Sequence, residues 1–303
     1  MSRSLPTAWL NGRFLPLEEA RISPLDRGFL FGDAVYEVIP VYDGHAFRLE
    51  AHLGRLTYSL AETRIPDPLS REDWREMLAE LVRRNGDGDQ AVYLQVSRGA
   101  DAGRDHRFPD PPPQPTCFAM ASPLPSMPEH ILRRGAHIRV YPDQRWQRCD
   151  IKATTLLANL LARQEAHESG ADEALLERDG RLLEGSSTTF YLLHGTTLST
   201  PPLDRRILPG ITREVILELA AESGLDIRET ELRREDLEST DECWLSSSGR
   251  ELVPVTRVGL SADHEVTIGD GRPGPRWREL ATRLHDLARG QGTPTLRKAS
   301  VHE

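Results

Sequence analysis

Lysine is nearly absent from this 303-residue chain. Of its 38 Lys and Arg residues only two are lysines, Lys152 and Lys298, which leaves 36 arginines. Lys298 sits in the stretch QGTPTLRKASVHE, which has no periodicity and reads as a mobile end. Lys152 sits in CDIKATTLLANLLA, beside an apolar run where a charge is awkward. The two basic side chains differ in one chemical respect. A lysine amine can lose its proton and form an imine with a carbonyl, whereas a guanidinium stays charged. A chain that uses arginine almost everywhere and lysine here points to covalent chemistry at Lys152; the plainer reading is a lysine that happens to open a helix.

An imine-forming lysine serves either a carbonyl substrate or pyridoxal phosphate. The cofactor would need two further things: an acidic partner for its pyridine nitrogen and donors for its phosphate. The segment LPGITREVILEL offers a helix N-terminus at Ile211 and Thr212, whose free amides and dipole suit an anion. The turn Ser246-Ser247-Ser248-Gly249 is rich in hydroxyls. Glu184, in RLLEGSSTTFYLL, interrupts an apolar strand, so it is either solvated at a hairpin end or paired with a cation.

The elements that must position these residues are legible in outline. Asn11-Gly12, Asp43-Gly44 and Asp179-Gly180 each lie between short apolar runs and predict hairpins. Leu49, Leu53, Leu56 and Leu60 recur at helical spacing and predict a helix over 50–63. Ser70 with Asp73 resembles a capping box, ahead of a helix with Trp74, Met77, Leu78, Leu81 and Val82 on one face. Val92, Leu94 and Val96 alternate as a strand, and the charged, proline-rich stretch 99–115 can only be a loop. Further helices are expected over 153–168, over 211–223 and around Trp277, Leu280, Leu284 and Leu287. Hairpins with irregularly interspersed helices favour α+β over a doubly wound parallel sheet. The run ASPLPSMPEH marks a boundary, so residues 1–122 and 130–289 are expected to form two α+β domains joined by 123–129, with 290–303 as a mobile tail.

Composition narrows the function classes. With 47 Asp and Glu the net charge is −9, a poor match to nucleic acid, whose binding rests on clustered positive charge. No apolar run approaches the roughly 20 residues that cross a bilayer, and the first residues lack a signal-peptide core, so the cytoplasm is the expected compartment. Cys117, Cys149 and Cys243 are odd in number and far apart, which suits reduced thiols rather than disulfides or a zinc site. The ten histidines show no metal-ligand spacing, and no metal is expected. Gly86-Asp87-Gly88 follows a helix rather than a strand and reads as a turn, and there is no Walker loop and no nucleophile elbow.

Taken together and in order, the blocks DRGFLFGDAVYEV, RWQRCDIK, LLARQEAHESG, LEGSS, LPGITREV and SSSGRELVPV resemble the fold-type IV pyridoxal-phosphate enzymes. That family includes D-amino-acid aminotransferases, branched-chain aminotransferases and aminodeoxychorismate lyases. The resemblance runs from about residue 8 to about residue 288, and within the family the blocks are most like those of the D-amino-acid branch. It implies a two-domain α+β enzyme, a homodimer with its site at the subunit interface, that moves an amino group from a D-amino acid such as D-alanine to a 2-oxo acid by a ping-pong route. Lys152 would hold the cofactor and move the substrate's proton. Glu184 would face the pyridine nitrogen, and Arg55, Ile211, Thr212 and Ser248 would hold the phosphate. Tyr36, with Arg104 and His106 of the loop Arg104-Asp105-His106-Arg107-Phe108-Pro109 reaching over from the partner subunit, would grip the substrate carboxylate. Two departures stand out. The stretch between Arg98-Gly99 and Arg104 is one residue longer than the D-specific pattern, and EGSSTT replaces EGSSSN. The alternatives within the family are an L-branched-chain or (R)-amine transaminase and a lyase; outside catalysis, a silent cofactor-binding protein.

Overall fold

The computed structural model describes residues 4–261 and 263–290; the expected tail after Gly290, with Lys298, lies outside the described residues. The first part of the chain runs β1 (Thr7–Leu10), β2 (Arg13–Pro16), α1 (Arg27–Phe31), β3 (Ala34–Tyr42), β4 (His45–Ala46), α2 (Leu49–Thr63), α3 (Arg71–Arg84), β5 (Gln90–Ser97) and β6 (Thr116–Pro123). Its strands form one six-stranded antiparallel sheet in the order β2-β1-β6-β5-β3-β4. Leu53, Leu56 and Leu60 on α2 and Trp74, Leu78 and Leu81 on α3 are buried against it, as their helical spacing requires. The Trp9 and Trp74 rings meet edge-on at 6.2 Å in that core.

The second part runs α4 (Glu129–Arg134), β7 (Ala136–Pro142), α5 (Leu157–Glu168), β8 (Glu173–Arg178), β9 (Arg181–Gly185), β10 (Thr189–His194), β11 (Thr197–Thr200), α6 (Ile211–Glu222), β12 (Asp226–Glu229), β13 (Glu242–Ser247), β14 (Glu251–Gly259), β15 (Glu265–Thr267) and α7 (Pro275–Ala288). The order is β12-β11-β10-β13-β14-β7-β8-β9, with β15 on β14. A further pairing of Glu184 with Thr189 joins β9 back to β10, so six of these strands close on themselves. The three hairpin turns have the expected chemistry. Asn11-Gly12, Asp43-Gly44 and Asp179-Gly180 all take positive φ at both positions, between 47° and 86°, which only such residue pairs adopt readily.

Two expectations change and one element was not foreseen. The second sheet is mixed rather than mostly hairpins: β7 pairs in parallel with both β8 and β14, and β11 with β12. Such pairings join segments distant in sequence, and no local turn announces them. The helix expected from 153 begins only at Leu157. Residues 152–154 are extended instead, because they pair with the start of β3: the Tyr36 amide donates to the Lys152 carbonyl at 2.9 Å and the Thr154 amide to the Ala34 carbonyl at 3.0 Å. Lys152 therefore opens no helix. Finally, the five-residue α1 in DRGFLFGD is too short to leave a periodic trace.

Candidate active site

A cleft between the two sheets is lined by residues from both. Tyr36 comes from β3 and Arg55 from α2. The stretch Arg145 to Leu156 crosses between the sheets, Glu184 to Thr189 turn at the closure of the second sheet, and Gly210 to Thr212 and Ser246 to Ser248 complete the wall. Of the residues singled out from the sequence, Lys152, Glu184, Arg55, Ile211, Thr212, Ser248 and Tyr36 are thus brought together. Arg104 and His106 are not: they lie on the exposed loop after β5, away from this chain's own cleft.

Lys152 is fixed through its backbone. Beside the bond to Tyr36, its amide donates to Ser59 Oγ on α2 at 3.2 Å. Its Nζ lies 4.3 Å from the centre of the Tyr36 ring, a cation–π distance. Burial lowers the Lys152 pKa to about 8, and the Arg55 charge acts the same way, against the opposing pull of Glu37 and Glu184. A good share of the amine is therefore neutral near pH 8. Burial holds the Tyr36 phenol at about 12, so it remains a neutral donor. The ring also stacks on Tyr93 at 5.6 Å.

Arg55 is held in a fork. Its Nε and Nη2 donate to the two oxygens of Glu37, each at 2.8 Å, and its Nη1 donates to the Pro209 carbonyl at 2.8 Å. His52 Nδ1 meets the same Glu37 carboxylate at 2.8 Å. Burial alone would raise Glu37, but Arg55 and His52 bring it down to about 2. Strand alternation explains the division of labour: Tyr36 faces the cleft, and its neighbour Glu37 faces α2. A guanidinium has five N–H donors. Three of those of Arg55 have protein partners, which leaves two beside the start of α6. That helix begins at Gly210 without any side-chain cap, so its first amides are available as well.

At the opposite end of the cleft the buried Glu184 carboxylate accepts from Arg145 Nη1 and, at 3.1 Å, from the Leu208 amide. Burial raises the Glu184 pKa, with Arg145 and the Leu208 amide opposing. Arg145 is itself gripped by Asp143 through Nε and Nη2, at 2.9 and 3.1 Å, and Arg178 meets Asp143 at 2.8 Å. The turn that carries Glu184 is tight: a Cβ on Gly185 would stand 2.0 Å from Thr188 Oγ1, so only glycine fits there.

This donor set fits pyridoxal phosphate. Two spare Arg55 N–H groups, uncapped helix amides and the hydroxyls of Ser247 and Ser248 suit a phosphate. Each Glu184 oxygen keeps a lone pair for a ring N–H. The Thr188 hydroxyl in the cleft wall is buried without a protein partner. Sequence reading passed over Arg145, Glu37 and His52. The first lies in the RWQRCDIK block, but nothing local separates it from the other arginines.

A family model described as amino-transferase class IV matches residues 34–258. D-alanine aminotransferase of Bacillus licheniformis is 39% identical over 277 residues, 91% of this chain and 95% of that one. Among solved structures, the branched-chain amino acid aminotransferase of Escherichia coli superposes with a TM-score of 0.87 at 26% identity, over 96% of this chain and 97% of that one. The branched-chain amino acid aminotransferase of T.th., solved with pyridoxamine 5'-phosphate, gives 0.86 at 26%, over 95% of each.

Replacing Arg145 with Met should leave the buried Glu184 carboxylate without its charged partner and cost the apoprotein about 3–5 kcal/mol of unfolding free energy. Urea unfolding measures this, and Glu184→Gln added to Arg145→Met should restore most of the loss, since no charge is then left unpaired.

Proposed function

The chain belongs to the class IV aminotransferases, and on that premise we propose that it is a pyridoxal-phosphate-dependent transaminase moving the amino group of a D-amino acid such as D-alanine to a 2-oxo acid such as 2-oxoglutarate. The observation that carries the reading is the Lys152 amine, with its pKa lowered to about 8, in one cleft with the Glu184 carboxylate and the Arg55–α6 donor set. D-alanine as donor rests on the activity named for the relatives.

When bound, pyridoxal phosphate supplies an aldehyde for Lys152 Nζ and a ring that accepts the electron pair left as the substrate Cα loses its proton. The chain's residues do the rest. Arg55, the α6 amides and Ser248 hold the phosphate end. Glu184 keeps a proton on the ring nitrogen, and Arg145 keeps Glu184 aimed. Lys152 Nζ takes the Cα proton and passes it on, which an amine about half neutral near pH 8 can do. Tyr36, Arg104 and His106 bind the substrate carboxylate, the arginine through two parallel hydrogen bonds. A second 2-oxo acid meets the same groups in reverse, giving ping-pong kinetics.

The position of Arg104 and His106, outside their own cleft, supports a homodimer in which each loop serves the partner. So does an apolar face on α5, where Leu157 is 70% and Leu160 62% exposed, directly after the cleft residue Leu156. We also infer two domains, 1–122 and 130–289, joined by 123–129. Each sheet packs its own buried clusters, with Ile151 and Ala153 reaching back into the first sheet's and Phe47 packing against one of the second's. No helix among the described residues is long and apolar enough to cross a membrane, and three buried, unpaired cysteines suit a reducing compartment such as the cytoplasm.

The direct test is a donor panel of D-alanine, L-leucine and (R)-1-phenylethylamine against 2-oxoglutarate. D-alanine should be the preferred donor; preference for L-leucine would move the enzyme to the branched-chain class, whose members it also resembles in fold.

Capture of pyridoxal phosphate by the apoprotein, followed by visible absorbance, should grow about tenfold per pH unit at low pH and level off above about pH 8, because only the neutral Lys152 amine reacts. Lys152→Arg should show no such absorbance at any pH.

Mixing inactive Lys152→Ala and impaired Arg104→Ala proteins under subunit exchange should recover about a quarter of wild-type activity, since half of random dimers carry one complete site. No recovery would mean that Arg104 serves its own subunit or none.

A further inference from the structure

The block DRGFLFGD has no task in the reading above, yet it meets the Arg104–His106 loop at 104, 105 and 106. α1 starts where Asp26 Oδ1 accepts the Gly28 amide at 2.8 Å and ends at Gly32 in the left-handed conformation. Two residues of this short turn, Arg27 and Phe31, and the following Asp33 meet the loop or its anchors. Arg27, 3% exposed, donates from Nε to Asp33 Oδ2 at 2.9 Å and from Nη1 to the carbonyl of Asp105 at 2.7 Å. That carbonyl stands between the two residues proposed to bind the carboxylate. Both of their side chains rest on a single ring: the Arg104 guanidinium lies 4.8 Å from the centre of Phe31, and the His106 ring 5.4 Å from it.

Asp33 extends the support to the far end of the loop. It accepts two parallel bonds from Arg98, Nε to Oδ2 at 2.7 Å and Nη2 to Oδ1 at 2.9 Å. Arg98 in turn donates to the carbonyls of Thr63 and Arg64 at the end of α2, at 2.7 and 2.9 Å, and its guanidinium lies 3.7 Å from the centre of the Phe108 ring. The loop is therefore clamped by its backbone at 105 and by its side chains at 104, 106 and 108.

We propose that Arg27, Phe31 and Asp33 form a seat that positions Arg104 and His106 for the substrate carboxylate. This rests on the reading that those two residues bind it. The physical need is plain. Arg104 is exposed, and an unsupported arginine surrenders up to about 2 kcal/mol of rotamer entropy when a ligand immobilises it. A side chain already resting on an aromatic ring, on a loop whose backbone is tied down, loses less. The fork of Arg27 is specific to the task, because Nε and Nη1 reach two acceptors at once, which a single ammonium cannot copy. Asp33 faces both Arg27 and Arg98 and so ties the two guanidiniums together beneath the loop.

The test compares Arg27→Gln, Arg27→Lys and Phe31→Leu with Arg104→Ala in the cofactor-loaded enzyme. Arg27→Gln and Phe31→Leu should each raise KM for both D-alanine and 2-oxoglutarate about tenfold, since a small misplacement of a binding group costs at least that much. The kcat and the pyridoxal phosphate Kd should stay within about twofold, as neither residue touches the reacting atoms. Arg27→Lys should recover part of the loss. In the Arg104→Ala, His106→Ala background, Arg27→Gln should add nothing further, because it acts through those two side chains. If Arg27→Gln fails to fold, Phe31→Leu, which keeps apolar volume, carries the same comparison. A raised KM in Arg104→Ala with unchanged KM in Arg27→Gln and Phe31→Leu overturns the seat alone. Parallel losses of kcat and cofactor affinity overturn it too, as they would mark general damage. An unchanged KM in Arg104→Ala removes the carboxylate reading and the seat together.

Discussion

Lys152 enters its cleft on a stretch of chain that is neither helix nor a full strand. Two backbone bonds to the start of β3 and one to Ser59 hold residues 152–154 extended, and everything chemical about the amine follows from that placement. Had the helix begun at 153, as the sequence invites, Nζ would have projected from a helix end with water on several sides. Pinned beside β3 it instead lies over the Tyr36 ring and next to the Arg55 charge, and loss of water lowers its affinity for a proton. The same strand supplies Tyr36 on one face and Glu37 on the other. One short segment thus sets both the amine's surroundings and the anchor of the nearest arginine.

The cleft keeps its charges in separate groups, the second balanced by Arg178 on Asp143. Glu37 holds Arg55 at one end, and the Asp143–Arg145–Glu184 chain occupies the other. A carboxylate stripped of water without a partner would be costly, so Glu184 can remain in the wall only because Arg145 meets it. Yet Arg145 is divided between two carboxylates, and burial still raises the Glu184 pKa. The result is a carboxylate stable enough to stay folded inside and still able to accept a proton-bearing ring nitrogen. A fully satisfied, strongly acidic glutamate would do this less well.

Much of this could be read from residue types. The scarcity of lysine singled out Lys152, the Asn-Gly and Asp-Gly pairs gave the hairpins, and Pro209-Gly210 ahead of Ile211 and Thr212 gave the helix start at the cleft. What stayed hidden shares a cause. Arg55, Arg145 and Glu37 matter because they are buried in pairs, and the Arg55–Glu37 and Arg145–Glu184 pairs join residues 18 and 39 positions apart, beyond any local period. The parallel strands β7, β8 and β14 were invisible for the same reason. The late start of α5 was hidden because a contact with β3 overrides the helical pattern that follows. Arg104 and His106 were named from the resemblance, and their own chain shows them only as an exposed loop that does not line its cleft.

The preference for arginine now has a structural reading. Arg55 on Glu37, Arg98 on Asp33 and Arg145 on Asp143 repeat one geometry, with Nε and Nη2 each donating to one oxygen of a carboxylate. All three forks lie at the cleft or beneath the loop proposed to bind the substrate carboxylate, in places largely closed to water. A lysine in any of them would offer one nitrogen where two are needed, and burial would push it towards the neutral form. It would then be a second free amine, able to compete for the cofactor bond proposed for Lys152. Arginine avoids both faults because it cannot be deprotonated under these conditions. The residue that must lose its proton and the residues that must never do so are therefore distinguished by side-chain type, and a single lysine at the cleft is what that separation requires.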